Sequence, residues 1–309
     1  MNNKSNVVVV GDIFADLTTY IHSYPANGDA TYGTPCVRNG GGCGANMAAG
    51  LGVLGVPTTM FCRLGDDENG HFLKNDLAKS GVDVQGIPLD PDAPTGTTII
   101  TVDPQGERTV WVLSVNSAYE KLSESDVAFL DELNPSAIII SGVLLGVHPA
   151  EETAIYVAEK WRGKTRLYFD PNLRYPVDAV PPALKSAMIR VCDLCDVILT
   201  GESEMRALGF WPKPNQIYIV KCGKKGSKYL NDKGEEVFSV PAIECDAVDA
   251  TGAGDTYVAA FVAAERDGKD LKSAMEYATV AAGLSVTRQG ARSMPSREEI
   301  ETRLKEWIR

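Results

Sequence analysis

Short apolar runs recur along the chain, and the first is Val7-Val8-Val9-Val10. Four β-branched residues in a row, without polar alternation, predict a strand buried on both faces. Similar runs cover residues 58–62, 137–141, 166–169, 197–200 and 217–220. Between them the period changes. Residues 43–54, 72–79, 151–161, 182–191, 255–266 and 271–286 carry small or apolar side chains in helix-like patterns. Strands alternating with helices predict an α/β fold, with a mainly parallel central sheet covered on both faces. Ser296-Arg297-Glu298-Glu299 is a capping-box pattern that opens a last helix running to Trp307.

Two segments break this rhythm. Residues 17–38 show strand-like alternation of Thr, Tyr and Ile with turn residues and no helix. Residues 97–102 and 109–115 flank Asp103-Pro104-Gln105-Gly106, a turn sequence, and read as a hairpin. Together the two insertions, 17–38 and 96–116, predict a small β-sheet standing over the main body as a lid. The linkers are short, so residues 1–309 read as one domain carrying that lid.

Charge narrows the partners. Lys plus Arg number 30 and Asp plus Glu 41, a net charge of −11. This balance speaks against a nucleic-acid or anionic-membrane binder, which needs a basic surface. A small phosphorylated ligand stays open, because local amides can hold one. The polar N-terminus leads straight into the first strand without a signal-peptide pattern, and no apolar run reaches membrane-spanning length. Seven scattered cysteines in a chain of this size fit a reducing cytoplasm. Cys192 and Cys195 form a C-x-x-C with no second pair or His to complete a zinc site. His22, His71 and His148 form no triad with a Ser or Cys motif, which leaves hydrolase chemistry without support.

The most informative segment is Asp249-Ala250-Thr251-Gly252-Ala253-Gly254-Asp255-Thr256, followed by a helix. Its glycines leave the backbone bare where a helix begins, and the free amides and dipole there favour an anion. Asp255 in that first turn reads either as an N-cap or as a base accepting a hydroxyl proton beside a phosphoryl group. A second glycine segment, Asn39-Gly40-Gly41-Gly42-Cys43-Gly44-Ala45-Asn46, opens another helix. Asn46 offers a donor and an acceptor to a hydroxyl, and Asp16 follows the first strand where a diol contact fits. Neither segment matches the dinucleotide G-x-G-x-x-G or the G-x-x-x-x-G-K-[ST] phosphate loop.

Together these segments resemble the ribokinase-like (pfkB) carbohydrate kinases, from Val9-Val10-Gly11-Asp12 to Gln289-Gly290-Ala291. The glycine segment ending at Asn46 resembles the family's N-terminal signature, and residues 249–255 its C-terminal signature. The resemblance implies a Rossmann-like αβα sandwich with a β-sheet lid. It implies an ATP-dependent sugar kinase requiring Mg²⁺, with Asp255 as base and Gly252, Ala253 and Gly254 as anion hole. Asp16, Gly41, Gly42 and Asn46 match sugar-binding positions. Gly201-Glu202-Ser203-Glu204 stands where the family carries Asn-x-x-Glu, so Glu204 matches the residue that organises Mg²⁺ through water, while Gly201 replaces the Asn. Read without the resemblance, Glu202 and Glu204 are an ordinary first helical turn.

Lys221 and Gly223 fall at the nucleotide site, where Lys221 either contacts phosphate or turns to solvent. Asp249 and Thr251, with Ser285, Arg288 and Gly290, match the K⁺ site of potassium-activated relatives. Phe169-Asp170-Pro171-Asn172-Leu173-Arg174 resembles fructokinases and 2-keto-3-deoxygluconate kinases. Arg174 suits a substrate carboxylate or the γ-phosphate, and a salt bridge to a neighbouring acid is the plainer alternative. Arg108, Trp111 and Asn116 lie where relatives read the sugar. The expected substrate is a ketose or keto-sugar acid; the alternatives are a nucleoside kinase of the same fold, or a sugar- or nucleotide-binding protein without turnover. Exposed lid edges invite a homodimer, with the monomer equally open.

Overall fold

Strand β1 (Val7–Val10) is fully buried along its whole length, as an uninterrupted valine run requires. The computed structural model describes residues 6–105 and 107–307. Residues 1–5 of the polar N-terminus, Gly106 of the expected turn and residues 308–309 lie outside the described residues. After β1 come β2 (Phe14–Tyr20), β3 (Val37–Gly41), α1 (Cys43–Val53), β4 (Thr58–Phe61) and the short β5 (Leu64–Gly65). Helix α2 (Glu68–Lys79), the short β6 (Leu89–Asp90), β7 (Thr97–Val102) and β8 (Arg108–Leu113) follow. The middle of the chain supplies α3 (Ala128–Leu133), β9 (Ala137–Ser141), α4 (Ala150–Trp161), β10 (Arg166–Asp170), α5 (Pro182–Leu194), β11 (Val197–Gly201) and α6 (Glu202–Leu208). Three strands, β12 (Ile217–Lys221), β13 (Ser227–Leu230) and β14 (Glu236–Val240), precede α7 (Ala253–Arg266), α8 (Leu271–Ser285) and α9 (Arg297–Trp307).

The central sheet has eight strands in the order β14-β13-β12-β11-β10-β9-β1-β4. Pairing is parallel from β4 to β12 and antiparallel only through β13 and β14. Strand order reverses beside β1, and ligands of such sheets bind at the carboxyl ends of the strands near the reversal. Those ends carry Asp12 just past β1, Ser141, Asp170, Gly201 and Lys221. A second sheet of four strands, β3-β2-β7-β8, is built from two separated stretches of chain. Its β7–β8 pair is an antiparallel hairpin, whereas β2 and β7 run parallel. The chain therefore has the expected α/β fold with a large, mostly parallel sheet and a smaller one. Among the described residues no helix is long and apolar enough to cross a membrane.

Two buried helices, α1 and α7, pack together over the sheet near β1. The α1 amides of Cys43 and Gly44 donate to the Asp12 carboxylate at 2.9 and 3.1 Å, and the Ser141 hydroxyl donates to the same group at 3.0 Å. Asp12 thus caps α1 from inside the protein. No side chain caps α7.

Candidate active site

The uncapped end of α7 begins at Gly252, whose φ of 75° lies in the left-handed region. A Cβ there would also overlap the Ala291 carbonyl, so both conformation and space demand glycine. Gly254, two residues on, is exposed, which leaves the start of α7 facing open space. Asp255 in the same turn is only 6% exposed, and its Oδ2 accepts from Asn46 Nδ2 of α1 at 2.8 Å. Burial pushes its carboxyl up, to about 7. The Asn46 amide opposes this, Asp170 adds to it, and Lys221 and Arg174 oppose it.

Asp16 on β2 sits beside these groups. A Cβ on Gly41 would overlap its carboxylate, and the Thr98 hydroxyl of β7 donates to its Oδ1. Burial raises the Asp16 carboxyl, against Thr98 and the nearby Arg292 and Arg174, which lower it. Arg174 is exposed as a residue, yet its Nη2 donates to the buried Cys43 thiol at 2.6 Å. Asp16, Gly41, Gly42, Cys43, Asn46, Arg174 and Asp255 therefore lie together, between the second sheet and the starts of α1 and α7.

A second group borders the α7 glycines. Lys221 turns inward, its side chain mostly covered, and pairs with Asp170 at 2.5 Å. Its Nζ lies 3.6 Å from where a Cβ on Gly254 would stand. Burial and Lys221 compete at the Asp170 carboxyl, and burial prevails to hold it at about 6. Both Glu204 oxygens accept backbone amides, from Leu173 at 2.9 Å and Gly201 at 2.6 Å, so Glu204 also closes the first turn of α6. Gly223 lies apart from these residues, on an exposed turn.

Arg108, expected at the sugar, reaches the loop that leads into α7. Its Nη2 pairs with Asp249 at 2.9 Å and its Nη1 donates to the Thr251 hydroxyl. Asp249 also accepts the amides of Thr251 at 2.9 Å and Gly290 at 3.0 Å. Burial alone would raise the Asp249 carboxyl, but these donors outweigh it and hold the group at about 2. A guanidinium donates and cannot ligate a cation, so in this arrangement Arg108 takes the place beside the Asp249 carboxylate that K⁺ would share. Ser285 and Arg288 are engaged elsewhere. The Ser285 hydroxyl donates back to Ala282 O in α8, and the Arg288 guanidinium pairs with Glu299.

A buried carboxylate at an open helix end is chemistry that a sequence family can place. The model of the pfkB family carbohydrate kinases matches residues 4–298. The chain belongs to that family. This pfkB kinase is a carbohydrate kinase, a phosphotransferase with an alcohol acceptor. It is 30% identical over 306 residues to an ATP-dependent ribose-1-phosphate kinase of Halopiger xanaduensis, covering 97% of this chain and 98% of the relative. It is also 30% identical over 278 residues to a fructokinase of Solanum tuberosum, covering 86% of each. Among solved structures it is similar to a sugar kinase of Pyrococcus horikoshii in complex with ATP, at 25% identity and a TM-score of 0.83 over 95% of this chain and 96% of that one. An Arabidopsis thaliana ribokinase complexed with ribose and ATP gives a TM-score of 0.80 at 25% identity, over 97% and 99% of the two chains.

Sequence reasoning missed two parts of this kinase's site. Arg292 donates from Nη2 to Gly41 O and from Nε to Asn46 Oδ1, each at 3.3 Å. It follows Gly290-Ala291 directly, and that proximity to a recognised motif was its only signal. The Asp170–Lys221 pair joins residues 51 apart in sequence, and no spacing rule links them.

Proposed function

We propose that this protein transfers the γ-phosphoryl group of ATP to a hydroxyl of a ketose or keto-sugar acid, with Asp255 as base. The observation that carries the reading is the buried Asp255 carboxylate in the first turn of the uncapped α7, hydrogen-bonded to Asn46. Asp16 and Asn46 hold the acceptor's hydroxyls. Asp255 takes the proton as the hydroxyl oxygen attacks the γ-phosphorus, and the bond to ADP breaks. The amides at Gly252, Ala253 and Gly254 receive the charge that grows on the transferred group. Lys221, held beside Gly254 by Asp170, adds a positive charge to that side.

Among the described residues no group of three or more His, Cys, Asp or Glu is arranged to hold a metal directly. Mg²⁺ would instead be held by phosphate oxygens and water, with Glu204 and Asp170 as outer acceptors, and would neutralise phosphate charge. The second sheet serves as the lid of a single unit, and its exposed β8 edge as a homodimer contact. Free cysteines throughout the described residues favour a reducing, cytoplasmic setting.

A sugar phosphate is the second reading of the acceptor. Two arginines, Arg174 and Arg292, lie close enough to Asp16 to lower its carboxyl, and one relative is named for ribose 1-phosphate. The test is ADP release from Mg·ATP with fructose, 2-keto-3-deoxygluconate, ribose, ribose 1-phosphate and nucleosides. Turnover on one of the first two is expected. Turnover confined to ribose 1-phosphate supports the second reading, and turnover confined to nucleosides overturns both.

A further inference from the structure

Asn46 can offer Asp255 either end of its amide. The NH₂ end donates to a carboxylate, whereas the oxygen end repels one. Asp255 alone does not settle the choice, because a protonated carboxyl can donate to the oxygen.

Arg292 settles it. Its Nε donates to Asn46 Oδ1 at 3.3 Å. A guanidinium has five N–H donors and no acceptor, so only the amide oxygen can face it. The NH₂ group is thereby left toward Asp255, where it donates at 2.8 Å. Arg292 is itself fixed. Its Nη1 pairs with Asp76 of α2, its Nη2 donates to Gly41 O, and its side chain is only 14% exposed. The end of β3 makes room for it, since a Cβ on Gly40 would overlap the guanidinium.

We infer that Arg292 is a positioning residue, which locks the Asn46 amide with its NH₂ group toward Asp255. The inference rests on the reading of Asp255 as base. The groups facing Asp255 are Cys43 and Asn46 from α1, Asp170 from β10, Arg174 from the loop after it and Lys221 from β12. Of these, the Asn46 amide reverses its effect when it flips. Held as it is, it favours the ionised base.

The experiment is kcat/KM against pH for the wild type, Arg292→Gln, Arg292→Lys, Asn46→Ala and the double variant Arg292→Gln/Asn46→Ala, with folding checked by circular dichroism. Glutamine can accept as well as donate, so it permits the flip. Its acidic limb moves up, with on the order of 3–10-fold loss at pH 6 and less at pH 8.5. Lysine, a donor only, keeps the limb near its wild-type place. Asn46→Ala moves the limb up, and adding Arg292→Gln moves it no further. An unmoved limb in Arg292→Gln overturns the inference, as does a shift that persists in full without Asn46, since Arg292 then acts as a charge alone. Equal shifts in the glutamine and lysine variants overturn it too. Asp255→Asn separates the two claims: wild-type turnover in that variant removes the base itself, whatever Arg292 does.

Discussion

The buried carboxyl of Asp255 carries a structural cost. Its carboxyl titrates at about 7 in the folded chain, against an ordinary value of 3.8. Below pH 3.8 both states carry the proton and burial costs nothing. Between 3.8 and about 7 the unfolded chain releases it and the folded chain does not, so stability falls as pH rises. Above that the cost is complete. Asp255→Asn should therefore stabilise the fold at pH 8, by on the order of 3 kcal/mol, and leave it unchanged near pH 3.5. The same variant should lose about 100-fold or more in turnover. Urea unfolding at the two pH values and an ADP-release assay check both halves. A variant that is inactive but no more stable at pH 8 would mean that the buried charge is better compensated than its neighbours indicate.

At the scale of elements, Arg108 ties the first residue of β8 to the loop that leads into α7. The Asp249 carboxylate, expected to face a cation, faces a guanidinium on the second sheet. Turnover of the wild type should stay within about 2-fold when K⁺ is exchanged for tetramethylammonium at constant ionic strength. Arg108→Met should lose turnover and recover part of it in KCl. A wild type that needs K⁺ would show that Arg108 leaves Asp249 in the working enzyme.

Much at this scale was legible in the sequence. The buried runs of β1, β9, β10, β11 and β12 announced themselves because both faces of a parallel strand are apolar. Helix α2 starts at Glu68 rather than at Phe72, because Asp67 caps it through the Gly70 amide at 2.7 Å while its first turn stays polar. Strands β13 and β14 went unread, being short and partly exposed, with mixed side chains. The site divides along the same line. Asp255, Asn46 and the glycines stand in contiguous motifs. Arg292 and the Asp170–Lys221 pair take their meaning from neighbours far away in sequence.

For the whole molecule, the conspicuous surface is β8. Val110, Trp111, Val112 and Leu113 are 52%, 43%, 56% and 54% exposed along one edge strand. Consecutive exposed apolar residues on an unpaired edge are a contact surface in waiting. Sedimentation velocity should give a dimer at micromolar concentration. Val112→Lys with Leu113→Glu should give a monomer of unchanged circular dichroism. A wild type that sediments as a monomer at 100-fold higher concentration would remove the lid contact.

The contact between Asn46 and Asp255 spans 209 residues of sequence, and that between Arg292 and Asn46 spans 246. Asn46 is therefore made more than two hundred residues before either of the two groups that its amide joins. A chain cut between residues 255 and 292 would carry both signature motifs and lack the guanidinium that faces the Asn46 amide oxygen.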